Sequence, residues 1–426
     1  MSLASPTSLA NPTSLALEGA RPGASSRSLA ALRDEWHAAA ALFVVIGALV
    51  FNPLLCFVNT NGLRVSDVMV MGSELILIST ALCFAFGRSA APYLILATFL
   101  AYMIMLMAMR PLIDPKAVRD LLIPLAFYFM ARRLGDIRIA DKAALICGII
   151  VVLFGLFEYL AFDLFTKYFN VIQYYIARGT VNPAALSPQE SSLFVSGMRP
   201  DARNILPFLG PHRVSSVFLE PVSMGNFGAI LALWALCRKG MHGRWVAFAC
   251  GAIAIILADA RFGLYVCILG SAVIFSPLRP HRLFWLLLPF AMLFGIALYG
   301  YRIGNIPWTN DFGGRLIWTS QLVTSLDVRA VMGLSPDKPF LSDSGYAYSL
   351  NQIGLLACIA FWTLFILAPL RHRQAWLFRM CAAAYFCLLL VISDSPYSIK
   401  TAALLWFMLG SADAMPAEEE AASSAG

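Results

Sequence analysis

Five side chains near the ends of apolar segments are the first candidates for chemistry. Glu220 lies in RVSSVFLEPVSMGNFG, shortly after His212 and Arg213. Arg261 lies in LADARFGLY, and Asp343 lies in LSDSGYAYSLNQIG. A carboxylate or imidazole can accept a proton from a hydroxyl group, whereas an Arg guanidinium stays charged and binds phosphate oxygens through two parallel hydrogen bonds. The five residues therefore predict a general base beside an anion site.

Pairing of these charges to hold helices together is the alternative interpretation. Arg213 and Glu220 are two turns apart on one predicted helix, so a direct pair is strained unless the helix breaks, which Pro221 favours. Of the other acidic residues in apolar runs, Glu158 is near a predicted outer end and is expected to reach water. For Glu74 a structural hydrogen bond is expected.

The composition predicts that most of the protein surface faces lipid. Of 426 residues, 60% are hydrophobic and 13% charged, with mean hydropathy +0.74. A soluble domain carries about 25% charge, so a soluble enzyme is excluded. The net charge of +7 suits anionic lipids or ligands, and no nucleic acid is expected because the basic residues form no interleaved run. The nine cysteines form no CxxC pair, so no metal is expected.

Apolar runs predict an all-α polytopic membrane protein, because about 20 apolar residues span a bilayer. Residues 1–36, rich in Ser, Ala and Pro, and residues 412–426 are predicted to be disordered tails around a membrane domain, 37–411. Twelve spans are predicted, at 38–58, 67–86, 90–109, 116–131, 142–162, 214–236, 245–259, 261–276, 283–300, 345–369, 376–393 and 397–411.

The distribution of basic residues predicts that both termini are cytoplasmic. With that orientation, 16 of the 31 basic residues lie at cytoplasmic loops or tails and six lie in short outer connections. The other nine lie in two long outer loops, 163–213 and 301–344. Long loops translocate regardless of charge, and the alternative is that these cations serve an anionic ligand. Residues 164–178 and 315–326 have helical patterns, so the loops are expected to form a cap.

Each long loop contains an Arg followed by ten residues and a Gly, namely Arg199 to Gly210 and Arg302 to Gly313. With the segments quoted above, this layout resembles the Wzy-type polymerases of O-antigen and exopolysaccharide repeat units, which are relatives of the O-antigen ligases. The resemblance covers about residues 140–410. RVSSVFLEPVSMGN resembles the family's Arg-x-x-(Ser/Thr)-x-Phe segment, and DARFGLY resembles its Ser-Arg-Gly segment, with Asp-Ala before Arg261 as a departure.

SDSGYAYSLNQIGLL resembles the family's Asp/His–Tyr–Leu–Gly segment, with Asp343 and Tyr346 in the first two places. Ligases typically have His there, so the sequence favours a polymerase, and within the family it looks most like the xanthan-type exopolysaccharide polymerases. The resemblance implies a GT-C-like bundle of the bacterial inner membrane with two large, partly helical periplasmic loops.

The resemblance also implies a reaction and its partners. The growing chain is transferred from undecaprenyl diphosphate to the next lipid-linked oligosaccharide repeat, without metal or other cofactor. A chain-length regulator and export machinery are further implied partners. Glu220 is the first candidate base, followed by Asp343 or His212. The predicted diphosphate- or substrate-binding residues are Arg199, Arg203, Arg213, Arg261, Arg302, Arg315 and Tyr346.

Three other functions fit the sequence, and one of them, a non-catalytic assembly subunit, is disfavoured by the outer Arg residues. A twelve-span transporter or flippase has the same termini, but no symmetry between halves is seen. An O-antigen ligase uses the same lipid-linked donor but transfers the glycan to a lipid A-core acceptor.

Overall fold

All regular secondary structure in the described part of the chain is helical. The computed structural model describes residues 24–87, 89–110, 115–182, 192–193, 196–199, 203, 205–276, 280–304, 306–307, 309, 312–335, 341, 343–370 and 372–415. The α-helices are α1 (Ala24–Thr60), α2 (Asp67–Ala85), α3 (Ala91–Met109), α4 (Pro115–Leu134), α5 (Ile137–Leu160), α6 (Phe162–Tyr168), α7 (Val171–Ala177), α8 (Pro221–Cys237), α9 (Arg244–Leu257), α10 (Arg261–Phe275), α11 (Arg282–Ile303), α12 (Phe312–Ser325), α13 (Val328–Val331), α14 (Gly345–Leu367), α15 (Arg373–Ile392) and α16 (Ile399–Ala414). Short 3-10 turns cover Pro207–Leu209, Ser216–Phe218 and Ser395–Tyr397.

The apolar helices are those of a multi-pass membrane protein. Seven segments are long and apolar enough to cross a bilayer: Glu35–Thr60, α2, α3, α5, α11, α14 and α15. Helices α8, α9 and α10 are apolar but shorter. Each of the twelve predicted spans contains one α-helix, and α6, α7, α12 and α13 lie in the two long loops.

Several predicted boundaries differ from the structure, among them the start of α5 at Ile137 rather than at 142. Helix α1 begins at Ala24, inside the predicted disordered tail, while residues 1–23 lie outside the described residues. Helix α16 continues to Ala414, and residues 416–426 lie outside the described residues. Helix α8 begins at Pro221 rather than at 214, because proline is favoured in the first turn and Glu220 before it is extended.

Helix α8 is buried on all sides and forms the centre of the bundle. It approaches α9 closely, since a Cβ atom on Gly228 would lie 2.6 Å from the carbonyl oxygen of Gly251. Small residues permit such contacts between apolar helices. Large side chains at the periphery, such as Ile104 on α3 and Phe294 on α11, are exposed and form the lipid-facing surface.

The connections that follow α1, α3, α5, α9, α11 and α15 meet at one end of the bundle. Two contacts link the connections after α1, α5 and α9, namely Asn61 Nδ2 to Tyr168 O at 3.3 Å and Arg203 Nη2 to Leu257 O at 2.7 Å. Two others link those after α3, α11 and α15, namely Arg110 Nε to Gly333 O and Arg315 Nη1 to Ile392 O at 3.4 Å. Residues of both groups line one cavity, which is described below. The two long loops therefore pack on the short connections at this end.

Helix α14 is interrupted at Gly354, whose φ of 75° and ψ of 159° are not helical. A side chain there would collide with the carbonyl of Met332. The guanidinium of Arg110 donates to the carbonyl oxygens of Asn351 at 3.0 Å and Gln352 at 2.7 Å. The Arg110 side chain thus supplies donors that the interrupted helix lacks.

Candidate functional site

A cavity of about 300 Å³, here called the polar cavity, opens where the first turns of α4, α8 and α16 meet the end of α15. Its lining combines residues from both long loops with residues of the helices. They are Asn52, Val70, Glu74, Lys116, Arg119, Asp120, Ile123, Tyr175, Arg178, Glu220, Ser223, Asp343, Ser393, Asp394, Ser395, Tyr397, Ser398, Ile399 and Lys400.

Two cations of the polar cavity come from the first turn and a half of α4. Arg119 lies 2.6 Å from a carboxylate oxygen of Glu74 and 2.6 Å from one of Asp120. Lys116 lies 3.3 Å from Asp394 and 3.8 Å from Asp120. Because each cation contacts two carboxylates, both side chains are held at the cavity wall.

The other two cations are Arg178, which follows α7, and Lys400, in the first turn of α16. Arg178 pairs with Asp67 at 2.9 Å, and its guanidinium lies 5.5 Å from the centre of the Tyr175 ring. The Lys400 ammonium lies 3.6 Å from Glu220 Oε2. The four cations therefore come from three separate segments of the chain: two from α4, one from the first long loop and one from α16.

The backbone around Glu220 directs its side chain into the polar cavity. Leu219 has a left-handed φ of 58°, and Glu220 is extended at the N-cap of α8. Ser223, one turn into the helix, donates a hydrogen bond to Glu220 Oε2 at 2.9 Å. The positive end of the α8 dipole further favours the ionised carboxylate.

Asp343, which lies just before α14, lines the same cavity. Its Oδ1 accepts a hydrogen bond from Arg315 Nη1 at 3.1 Å, so a residue of α12 orients it. The structure thus brings together Glu220 and Asp343, two of the three predicted bases, although 122 residues separate them in the sequence.

The charges in the polar cavity are nearly balanced. Five carboxylates line it with four cations: Glu74, Asp120, Glu220, Asp343 and Asp394 against Lys116, Arg119, Arg178 and Lys400. Burial and, to a smaller extent, the charge of Asp120 raise the pKa of Asp394 to about 6, although Lys116 opposes the rise. Protonation of Asp394 as the pH falls through about 6 therefore removes the excess negative charge.

Two predicted diphosphate ligands, Arg203 and Arg213, are buried beside the end of α9. Arg203 Nη2 donates to Leu257 O at 2.7 Å, and Arg213 Nε donates to Ala258 O at 3.0 Å. Carbonyls at a helix C-terminus lack partners within the helix, so these guanidinium groups cap α9. Burial, followed by the charge of Arg199, lowers the pKa of Arg213 to about 10. We therefore do not assign diphosphate binding to either residue.

His212, the third predicted base, is not part of the polar cavity lining. Its Nε2 lies 3.1 Å from Glu158 Oε1. Glu158 also accepts hydrogen bonds from the backbone N–H groups of Ser215 and Ser216 and is fully buried. The expectation that Glu158 reaches water was wrong, because the end of the first long loop folds over α5.

Arg199 and Arg261 lie near the same loop. Arg199 Nε donates to Asp259 Oδ2 at 3.1 Å. Arg261 is the first residue of α10, and the preceding Ala260 packs on Gly225, one turn into α8 from Glu220. Arg261 is only half-buried, so its guanidinium remains a candidate for anion binding.

The remaining predicted residues are dispersed. Arg302 is exposed at the end of α11, while Arg315 lies behind Asp343 rather than in the cavity lining. Tyr346 is buried, and its hydroxyl donates to Cys387 O at 3.3 Å. Tyr346 lines a small apolar cavity that shares Tyr397 with the polar cavity.

An apolar groove of about 340 Å³ adjoins the polar cavity. Arg119 lines both spaces. The groove lies between α2, α3 and α4, and its walls include Leu75, Leu100, Met103 and Ile104. Leu75, Leu100 and Ile104 are exposed, so the groove opens to the lipid-facing surface.

Sequence reasoning missed the cations of the polar cavity as site residues. Lys116, Arg119 and Asp120 have helical spacing in an apolar run, and Lys400 precedes another one. The high cost of ionisable groups in apolar helices was the signal that could have found them. Within the described ranges, no group of three or more His, Cys, Asp or Glu residues is arranged to hold a metal ion.

The chain was compared with protein-family models, curated proteins and solved structures, and none of them matches. The fold and the polar cavity are therefore the basis for a functional assignment.

Proposed function

We propose that this chain is a membrane glycosyltransferase that polymerises lipid-linked oligosaccharide repeats at the outer face of the bacterial inner membrane. The observation that carries the proposal is the position of Arg119, which lies in the wall of both the polar cavity and the apolar groove. A substrate with an anionic head and a long apolar tail, such as a saccharide on undecaprenyl diphosphate, fits these two spaces together.

In this proposal the diphosphate binds beside Arg119 and Lys116. Both side chains now contact carboxylates, so a diphosphate must compete with Asp120 and Asp394 for them. Protonation of Asp394 lowers the cost of bringing further negative charge into the cavity. Arg119 offers the planar, two-pronged donor geometry that phosphate oxygens prefer.

Glu220 is the proposed general base, and Asp343 is the second candidate. The acceptor hydroxyl oxygen bonds to the anomeric carbon of the donor sugar, and its proton passes to the Glu220 carboxylate. The bond between that carbon and the diphosphate oxygen breaks, so undecaprenyl diphosphate leaves with the electron pair. The nearby cations stabilise the charge that develops on the leaving group.

The proposal includes twelve spans with both termini in the cytoplasm. Two spans separate each of the connections after α1, α3, α5, α9, α11 and α15 from the next one, so all six lie on the same side of the membrane. The contacts among them agree with this arrangement. The excess of basic residues at the opposite connections supports placing that opposite side in the cytoplasm.

A transporter is the second candidate, because α14 is interrupted at Gly354 and the polar residues Asn351 and Gln352 are buried there. Interrupted spans form substrate sites in many transporters, usually one in each of two related halves. Among the described helices, α14 alone contains a residue with non-helical dihedral angles. This lack of a second interruption favours the enzyme.

Product analysis in a strain that lacks this protein tests the proposal. We expect the strain to lose polymer and accumulate single repeats on lipid, and Arg119→Gln to do the same while the protein reaches the membrane. Arg64→Gln is the matched control, because Arg64 is an exposed cation of the α1–α2 connection. Full polymer in the Arg119→Gln strain would contradict the proposed site, and polymer that remains on its lipid in the deletion strain would identify a ligase.

Orientation is tested separately with Val328→Cys, since Val328 is exposed in the second long loop. A membrane-impermeant thiol reagent should label it in intact spheroplasts. Labelling only after lysis would place this loop in the cytoplasm and exclude the proposed reaction.

A further inference from the structure

A second cavity, here called the aromatic cavity, lies at the other end of the bundle from the polar cavity. Helix α4 contributes Lys116 to the polar cavity in its first turn and Arg132 to the aromatic cavity in its last. The aromatic cavity has a volume of about 140 Å³, and its walls include Phe129, Phe361, Phe365 and Trp406. No part of the proposed reaction uses it.

Two buried hydrogen-bond donors in the wall of the aromatic cavity lack acceptors. Among the residues that the structure describes, neither Arg379 Nε nor Trp406 Nε1 has a hydrogen-bond partner. Leaving a buried donor unpaired is energetically unfavourable. The cavity is therefore suited to a ligand that supplies acceptor oxygens.

The charges around the aromatic cavity favour an anion. Arg379 is neutralised by Asp413, which its Nη2 contacts, and Tyr128 donates to the same carboxylate oxygen at 2.6 Å. Arg132 lies at the mouth, where its guanidinium is 6.0 Å from the centre of the Tyr128 ring. Arg132 is exposed and contributes the net positive charge at this site.

The aromatic cavity opens towards lipid rather than towards water alone. Its rim includes Leu364 of α14, which is 56% exposed on an apolar helix, and Ile95 of α3. A ligand in this cavity contacts an apolar wall and, at the helix ends, the cation Arg132. It also lies beside the unpaired donors Arg379 Nε and Trp406 Nε1. Basic pockets between spanning helices bind the head groups of anionic lipids.

We propose that the aromatic cavity binds an anionic phospholipid of the membrane leaflet opposite the polar cavity. The lipid phosphate contacts Arg132, ester or phosphate oxygens accept from Trp406 and Arg379, and one acyl chain packs on Phe361 and Phe365. The site is independent of the proposed glycosyl transfer and holds also if the chain has another activity.

Lipid retention by the purified full-length chain tests this site. Native mass spectrometry measures retained phosphatidylglycerol and phosphatidylcholine after equal loading. We expect a preference of about fivefold or more for phosphatidylglycerol, since one basic residue near a charged membrane surface contributes ~1 kcal/mol. Arg132→Gln should remove most of this preference, whereas Trp406→Phe, which keeps an aromatic ring but removes the Nε1 donor, should lower the retention of both lipids.

Arg138→Gln is the matched control, because Arg138 is an exposed cation near the start of α5 and is not part of the cavity wall. It should leave the preference unchanged. Equal retention of the two lipids by the unaltered chain would overturn the proposal, as would equal effects of Arg132→Gln and Arg138→Gln. Displacement of phosphatidylglycerol by an equal concentration of inorganic phosphate would also overturn it, because the apolar wall would then contribute nothing.

Discussion

Lys400 and Glu220 join the first turn of α16 to the first turn of α8. The Lys400 ammonium lies 3.6 Å from Glu220 Oε2 and donates to the carbonyl oxygen of Phe218 at 3.1 Å. One partly buried cation thus contacts both the carboxylate of the proposed base and the turn that precedes it. The position of that base depends on α16, which carries no residue that sequence reasoning had assigned to the site.

We expect Lys400→Met to lower the rate of polymer formation about 10- to 100-fold, because Glu220 loses its cationic neighbour and a positioned charge in the cavity. Lys400→Arg should retain most of the activity. Polymer length and amount are measured on gels at matched protein levels. Lys239→Met, which removes an exposed cation next to α8 at the opposite end, is the control. Equal rates in the two Met variants would exclude a role for Lys400.

Glu220→Gln and Asp343→Asn separate the two candidate bases. General base catalysis contributes about 10²–10⁴-fold, so the variant that removes the base should lose activity on that scale. We expect Glu220→Gln to show the larger loss, because Asp343 accepts a direct hydrogen bond from Arg315 at 3.1 Å, whereas the cation beside Glu220, Lys400, lies farther away at 3.6 Å. The purified protein is assayed with lipid-linked repeats between pH 6 and 8. A larger loss in Asp343→Asn would assign the base to Asp343.

Arg213→Ala and Arg261→Ala should have different effects. Arg213→Ala leaves the carbonyls of Ala258 and Ser196 without their donors, and each buried unpaired group costs about 1–3 kcal/mol. We expect a lower melting temperature and less folded protein. Arg261→Ala should keep the melting temperature. Differential scanning fluorimetry in detergent measures both, and an unchanged melting temperature in Arg213→Ala would argue against its capping role.

Asp394 should make stability depend on pH. Its pKa is raised to about 6 in the folded chain, above the ordinary value of 3.8. The folded state therefore holds this proton more tightly, and the contribution of Asp394 to stability is fully present below pH 3.8 and is lost as pH rises through about 6. We expect the melting temperature of Asp394→Asn relative to the unaltered chain to increase between pH 4 and 7. A constant difference over this range would contradict the prediction.

A Trp in the apolar groove should discriminate between long and short lipid carriers. Leu100→Trp fills space between α2, α3 and α4, so donors with an undecaprenyl chain should bind at least about tenfold more weakly while donors on a short carrier are unaffected. Leu94→Trp is the control, because Leu94 is an exposed residue of α3 outside the groove. Equal binding of long donors to both variants would exclude the groove as the tail site.

Periodicity predicted a helix in each of the twelve apolar segments but not where every helix starts. The predicted span from 214 began seven residues too early, because apolar residues continue through the turn before Pro221. Hydropathy does not detect that Ser216 and Leu219 have left-handed backbones, which depend on tertiary contacts.

The site was predictable in part. Glu220 and Asp343 follow long loops that the charge distribution places on one side, so their convergence follows from topology. The hydrogen-bond partners of Arg203 and Arg213 could not be predicted from the sequence, because they are backbone carbonyl groups at a helix end, which every residue type has. Charge alone identified these residues as cations available to a ligand, whereas the fold uses both of them to cap α9.

The turn at Ser216 has one more consequence. Ser216 has a left-handed φ of 51°, a backbone conformation that is energetically unfavourable for a residue other than glycine. The carboxylate that accepts the Ser216 N–H group is Glu158, which belongs to α5 rather than to the adjoining helix α8. The backbone conformation of the turn before α8 therefore depends on a residue outside that segment. A graft of residues 213–226 onto another helical bundle would relax to a different backbone unless an acidic residue equivalent to Glu158 were transferred with it.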